Sequence, residues 1–212
     1  TIGELPAWIA YTSLVSTKTE QEAHLSEVEF LPIDCCVITV SDTRTLDTDN
    51  SGRHLVQELE AMGHRVAQRF IIKDDTDSVI ETVSQCIADE HIVAVILTGG
   101  TGITRRDITP DAVATLSTKH IPGFGELFRM LSYQEIGSST IQSRADAWLC
   151  QDTLVFVLPG STGAVRLGFD KILKEQLDIR TRPCNFIQLL DRIRFVKTVD
   201  PSRADTSESS GG

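Results

Sequence analysis

No apolar run among the 212 residues is long enough to span a bilayer, and no stretch reads as a signal peptide. Positive charge is scarce. The 20 Lys and Arg face 30 Asp and Glu, a formal net charge of −10, which argues against nonspecific binding to nucleic acid or to an anionic membrane. An anionic small ligand is not excluded, because a nest of backbone N–H groups and a metal ion act at short range. Cysteine gives no pattern for a disulfide framework or a metal: Cys35, Cys36, Cys86, Cys150 and Cys184 are odd in number, lack metal-like spacing, and several lie in apolar runs. The expectation is reduced core thiols in a cytosolic protein. The five histidines are scattered, with no HExxH-type cluster, so surface or capping roles are their expected use. No internal repeat or low-complexity core stands out, and the length suits one domain with tails.

What is present is organised around residues 93–111, VAVILTGGTGITRRDITPD. The run 93–97 is too short for a helix and rich in β-branched residues, and reads as a buried strand. Gly99, Gly100, Thr101 and Gly102 follow at once. Three glycines in four positions let the backbone take positive φ and let a ligand approach closely. Arg105, Arg106 and Asp107 come next. Thr109-Pro110-Asp111 reads as a helix start, with Thr109 as N-cap, Pro110 at the first helical position and an acid in the first turn. A strand, a glycine turn and a helix N-terminus make a place where N–H groups converge on an anion. By itself GGTG is as readily a tight turn; two cations and two acids beside it point to phosphate binding plus a metal.

The rest of the chain supports an α/β reading. Residues 34–40 form the first buried strand, ending in Ser41-Asp42. Asn50 or Ser51 is expected to cap the next helix, which has Leu55, Leu59 and Met62 on its apolar face and ends at Gly63. A second strand covers residues 65–72. The acidic loop with Asp74, Asp75 and Asp77 leads into a helix bearing Val79, Ile80, Val83 and Ile87; capping explains at least one of these acids and does not need all three. Phe124, Leu127, Phe128 and Leu131 recur at helical spacing and read as core. Residues 138–147 are expected to be a helix, with Ser143 and Arg144 placed to face a pocket. The apolar strand 153–158 ends in Pro159-Gly160-Ser161-Thr162-Gly163, and the helix after it carries Phe169, Ile172, Leu173 and Leu177. This is a second strand–glycine loop–helix unit, and both loops belong at the C-terminal edge of one parallel sheet. Residues 180–186 are basic and turn-like, and residues 187–195 are a last helix or strand. The expected fold is a three-layer α/β/α domain with a mainly parallel central sheet.

Several separate motifs now carry a resemblance. TGGTGITRRDITPDA, PGFGELFRMLSYQEIG, SRADA, VLPGST and DIRTRPCNF resemble, in that order, the molybdenum cofactor biosynthesis proteins of the MoaB/MogA type, relatives of the gephyrin G domain and of the plant molybdopterin adenylyltransferase domain. The similarity covers about residues 33–190. FGELFRMLSYQEIG and RTRPCNF are closer to the MoaB branch. The resemblance implies a molybdopterin-binding domain over 32–197; outside it, composition reads as an N-terminal extension over 1–31 and a polar, Ser-rich tail over 198–212 that is expected to be disordered.

The reaction the resemblance implies is Mg2+-dependent adenylylation of the terminal phosphate of molybdopterin by ATP, with release of pyrophosphate. Such chemistry gathers several negative charges, so positioning and electrostatic screening are what a catalyst supplies. Position by position, Asp74 and Asp107 match the family's catalytic or metal-binding aspartates. The turn Gly99, Gly100, Thr101 and Gly102, with Thr98 before it and Asp111 after it, is implied to hold nucleotide or pterin phosphate. Ser41, Asp42, Asp49, Ser51 and Gly52 sit in one further pocket motif; Ser143, Pro159, Gly160 and Ser161 sit in others. The second loop reads PGST, as in MoaB-type members, and departs from the adenylyltransferase domains. Some MoaB-type proteins lack the RRD–TPD residues; this chain keeps Asp107 and Asp111, which favours activity. A cytoplasmic homotrimer or hexamer working with other proteins of the pathway is also implied. Two other functions compete: a molybdopterin-binding or scaffolding protein with little catalysis, and a dinucleotide-binding oxidoreductase. The second is the weakest, because a GxGxxG turn belongs after the first strand, and here that strand ends in SDTRT.

Overall fold

The computed structural model describes residues 28–194; most of the extension and the whole tail lie outside the described residues. The six strands are β1 Asp34–Val40, β2 Arg65–Ile72, β3 Ile92–Thr98, β4 Lys119–His120, β5 Asp146–Cys150 and β6 Thr153–Leu158. They form one sheet in the order β2-β1-β3-β6-β5-β4. The β2-β1-β3-β6 half is parallel and the β6-β5-β4 half antiparallel. The α-helices of five residues or more are α1 Asn50–Met62, α2 Thr76–Ala88, α3 Thr109–Leu116, α4 Pro122–Ile136, α5 Thr162–Gly168 and α6 Leu190–Arg194. A π-helical turn, Phe169–Leu173, continues α5.

The strand alternation divides the core in two. Cys35 and Val37, Ala94 and Ile96, and Leu154, Phe156 and Leu158 face a cluster with Leu55 and Leu59 of α1, Phe124 and Phe128 of α4, and Val165 of α5. The intervening Cys36, Ile38 and Val40, Val95 and Leu97, and Val155 and Val157 face the opposite cluster, with Val79 and Val83 of α2 and Ala112 and Val113 of α3. A strand buried on both faces is apolar along nearly its whole length, which is why β1, β3 and β6 read as apolar runs with polar residues only near their ends. Each fully buried Val, Leu, Ile or Phe contributes roughly 1.5–3 kcal/mol of transfer free energy. Cys35, Cys36 and Cys150 in the strands and Cys86 in α2 are buried and free, and Cys184 is free and exposed. Among the described residues, no helix is long and apolar enough to cross a membrane.

Three local expectations fail. Residues 138–147 do not form one helix: a 3-10 turn, Gly137–Gln142, is followed by strand β5. Residues 146–150 carry no period-2 polarity because Ala147 faces one core and Trp148 the other, and the hairpin turn holds no glycine, Gln151 itself taking φ 54°. Neither Asn50 nor Ser51 caps α1; Asp49 does, accepting from Gly52 N–H. Thr109 is not an N-cap but the first residue of α3, whose cap position is Ile108. Its N–H is used by Gly100 O at 3.1 Å, a bond between the glycine turn and the helix that sequence spacing does not reveal.

Candidate functional site

The C-terminal ends of β1, β3 and β6 meet where the two glycine loops abut. Gly99 N–H donates to Leu158 O at 3.0 Å, Thr98 Oγ1 donates to Pro159 O at 2.9 Å, and Ser51 Oγ donates to Gly160 O at 2.9 Å. Gly99 has φ 109°, and a Cβ there would lie 2.3 Å from Val40 O, so only glycine fits. Between these loops and the start of α1 lies a polar cleft of about 260 Å³, lined among others by Ser41, Arg44, Asn50, Ser51, Thr98 and Thr162. Ser41, Ser51 and Thr98 are expected pocket residues, and the expected Asp49, Gly99 and Gly160 line the cleft as well.

Asp49 is buried beneath this cleft, 2% exposed. Its carboxylate accepts from Thr39 Oγ1 at 2.8 Å, Gly52 N–H at 2.8 Å and Arg69 Nη2 at 2.8 Å. Burial alone would raise its pKa, but Arg69, Gly52 and Thr39 together hold the carboxyl below its ordinary value. Asp49 and Gly52 therefore fix the start of α1. Pro159 serves through its carbonyl, and Ser161 caps α5 by accepting from Ala164 N–H.

A second group of atoms lies beside the glycine turn. Gly100 has φ 62°, and its missing Cβ would lie 2.3 Å from Thr109 Oγ1 and 3.1 Å from Asp74 Oδ1. Both oxygens are buried and lack any hydrogen-bond partner, an unusual state for buried polar atoms. Asp75, not Asp74, caps α2, so Asp74 is the acid that capping leaves unexplained. Its carboxyl is held above the ordinary value first by burial, then by the negative charge of Asp42; Arg106 opposes, and Asp107 and Asp75 add to the rise. Asp42 accepts from Asp74 N–H at 3.2 Å and pairs with the exposed Arg106.

Asp107 is committed differently. Its Oδ2 accepts from Thr104 N–H at 2.8 Å and Thr104 Oγ1 at 2.6 Å. Burial acts to raise its pKa, yet the bonds from Thr104 and Gly102 and the charge of Arg144 bring it below the ordinary value. Thr101, Gly102, Asp107 and Asp111 all meet Arg144. Asp111 and Ser143 line another cleft, of about 690 Å³, with His120 and Trp148, so the structure does not bring them together with Ser41, Ser51 and Gly160.

Thr39, Arg44, Arg69, Asn50, Thr109 and Thr162 were missed by sequence reasoning. One signal was available for Thr39: it and Thr98 are hydroxyls near the ends of two otherwise apolar strands, and they sit side by side in register. Among the described residues, no three His, Cys, Asp or Glu side chains cluster as a ready-made metal site. The donor chemistry at Asp74 and Thr109 still fits Mg2+, which is usually bound by one or two carboxylates with waters and substrate phosphates completing its shell.

Residues 36–179 match the family described as "Probable molybdopterin binding domain". The chain is 44% identical over 158 residues to molybdenum cofactor biosynthesis protein B of Escherichia coli strain K12, covering 74% of this chain and 93% of that protein. It is 50% identical over 146 residues to the protein of that name from Bacillus subtilis strain 168, covering 68% and 86%. A crystal structure of a molybdenum cofactor biosynthesis protein B superposes with TM-score 0.67 at 42% identity, covering 78% of this chain and 96% of that one. The tungsten cofactor synthesizing protein MoaB from Pyrococcus furiosus does so with TM-score 0.63 at 35% identity, covering 77% and 98%.

Proposed function

This chain belongs to the MoaB family of molybdenum cofactor biosynthesis proteins, and on that premise we propose that it catalyses the Mg2+-dependent adenylylation of molybdopterin by ATP. The observation that carries the reading is the pair of buried, unpartnered oxygens, Asp74 Oδ1 and Thr109 Oγ1, both beside the position a Cβ of Gly100 would take. A carboxylate whose charge is destabilised by burial and by neighbouring acids is suited to a cation. Asp74 is the residue to hold Mg2+, which when bound screens the phosphate charges that the reaction gathers. The turn at residues 99–102 admits a phosphate close to the backbone. Ser41, Ser51, Thr98 and Thr162 offer hydroxyls to the polar end of the substrate, and Arg44 offers positive charge in the same cleft.

Asp107 is assigned to the same chemistry. Asp107→Asn keeps a carbonyl to accept from Thr104 and removes the charge, so the expected loss is in rate, on the order of 10²-fold, with little change in melting temperature. Single-turnover formation of adenylylated molybdopterin measures it. A second reading, a molybdopterin-binding protein with little catalysis, is favoured by the way Thr104 and Gly102 occupy Asp107. Under that reading the wild type binds molybdopterin and forms no adenylylated product.

Assembly as a homotrimer or hexamer belongs to the proposal. Helix α4 buries Phe124 and Phe128 but leaves Met130, Tyr133 and Ile136 exposed, and Ile141 in the following 3-10 turn is 81% exposed. A face of this kind on one side of a soluble domain marks a contact surface. Light scattering at micromolar concentration is expected to give a mass three or six times that of the chain, and Met130→Glu is expected to lower it. A wild-type monomer would refute the assembly.

A further inference from the structure

The loop that follows the glycine turn has almost nothing to hold it down. Residues 103–106 are all exposed, and the one apolar side chain among them, Ile103, is 69% exposed. A surface loop with no buried anchor opens at small free-energy cost, yet this loop carries Asp107 and borders Gly100. Apart from the exposed pair of Arg106 with Asp42, its attachments to the rest of the fold come from a residue 37 positions away. Arg144 stands just ahead of β5, in the antiparallel half of the sheet. Its backbone N–H donates to Thr101 O at 2.9 Å. Its Nε donates to Gly102 O at 2.7 Å, Nη2 to Asp107 O, and Nη1 to both carboxylate oxygens of Asp111 at 3.0 and 2.8 Å. Every guanidinium nitrogen is used, and every partner lies within residues 102–111.

We propose that Arg144 is the positioning residue of the glycine turn, holding residues 101–107 in the shape that receives the phosphate. The two carbonyls decide the matter rather than Asp111. That carboxylate is largely exposed, and an exposed ion pair adds little by itself. Gly102 O and Asp107 O are loop acceptors that no strand or helix satisfies, and a planar fork of five donors reaches both at once. Lysine has the charge but one nitrogen on a flexible stem, and cannot bridge them.

The ligand arm of the test rests on the proposed function; the exchange arm does not. Hydrogen exchange in the full chain is to be compared between wild type and Arg144→Lys at the Thr104, Asp107 and Thr109 amides, which close the turn, and at Val95 and Leu97 of β3. Exchange at the three turn amides should rise at least tenfold while β3 stays unchanged. Affinity for ATP with Mg2+, by calorimetry, should fall at least tenfold, and added guanidinium should restore part of it in Arg144→Ala. A role in stability alone would raise exchange everywhere and show no rescue. Unchanged exchange at the turn, or a rise shared equally by β3, would overturn the proposal. If the wild type binds no ATP, the adenylyltransferase reading falls, and the exchange comparison still decides the role of Arg144. If Arg144→Ala does not fold, the lysine variant carries both measurements.

Discussion

Asp74→Asn is expected to lower single-turnover adenylyl transfer on the order of 10²-fold or more while leaving the melting temperature at or above that of the wild type. The two halves of this result have one cause. Asp74 is half-buried, its Oδ1 has no partner, and burial and the charge of Asp42 raise its pKa. A carboxyl with a raised folded-state pKa favours folding while protonated, below its unfolded value. That contribution is lost as pH rises through the folded value. At neutral pH the charged side chain therefore works against the fold, and the amide of the same shape relieves the repulsion. The stability gap between variant and wild type should accordingly close as pH falls into the range where Asp74 protonates. A variant that loses both activity and stability would make Asp74 a structural residue. Combined with Asp107→Asn, the loss should be less than additive if the two serve one cation.

The largest effect on stability is expected at Asp49. Asp49→Ala removes three hydrogen bonds and leaves Arg69, whose Nε already lacks a partner, without its carboxylate. Breaking one side of a buried pair typically costs 3–5 kcal/mol. About 3 is expected here, because roughly a fifth of the Arg69 side chain stays exposed. For a domain of this size that corresponds to a fall of roughly 6–12 °C in melting temperature. Asp49→Asn, which keeps a cap for Gly52, should lose less. Since the folded-state pKa of Asp49 is depressed, its stabilisation is present above the unfolded carboxylate value and lost as pH falls through the folded one; the Asp49→Ala difference should shrink over that acidic window. Denaturant titrations at pH 7 and at acid pH measure both. A loss under 1 kcal/mol would place this pair with ordinary surface ion pairs.

The fold was legible wherever one physical rule dominated. A strand buried on both faces is apolar along nearly its whole length, so β1, β3 and β6 stood out, and Gly63, with φ 96°, closed α1 as a left-handed cap should. The hairpin of β5 and β6 was not legible, because its turn uses Gln151 and Asp152 instead of glycine or asparagine. The site was legible as two glycine loops, since Gly99 admits no other residue. Its polar wiring was not. Arg69 reaching Asp49, Arg144 reaching Gly102, and Thr109 facing Gly100 are contacts between segments distant in sequence or folded back on one another, and no spacing rule reports them. Asp49 came from resemblance as a pocket residue. The structure adds that it also caps a helix and balances a buried arginine, two roles its neighbours in sequence do not signal.

A purified chain of this sequence is expected to make adenylylated molybdopterin. The direct measurement is a single-turnover reaction of protein in excess over molybdopterin, with ATP and Mg2+, following adenylylated molybdopterin and pyrophosphate together. The expected result is equal amounts of the two products, dependent on Mg2+ and lost in Asp74→Asn. Saturable binding of molybdopterin by the wild type with neither product formed would contradict it and leave this chain a binding protein of the pathway.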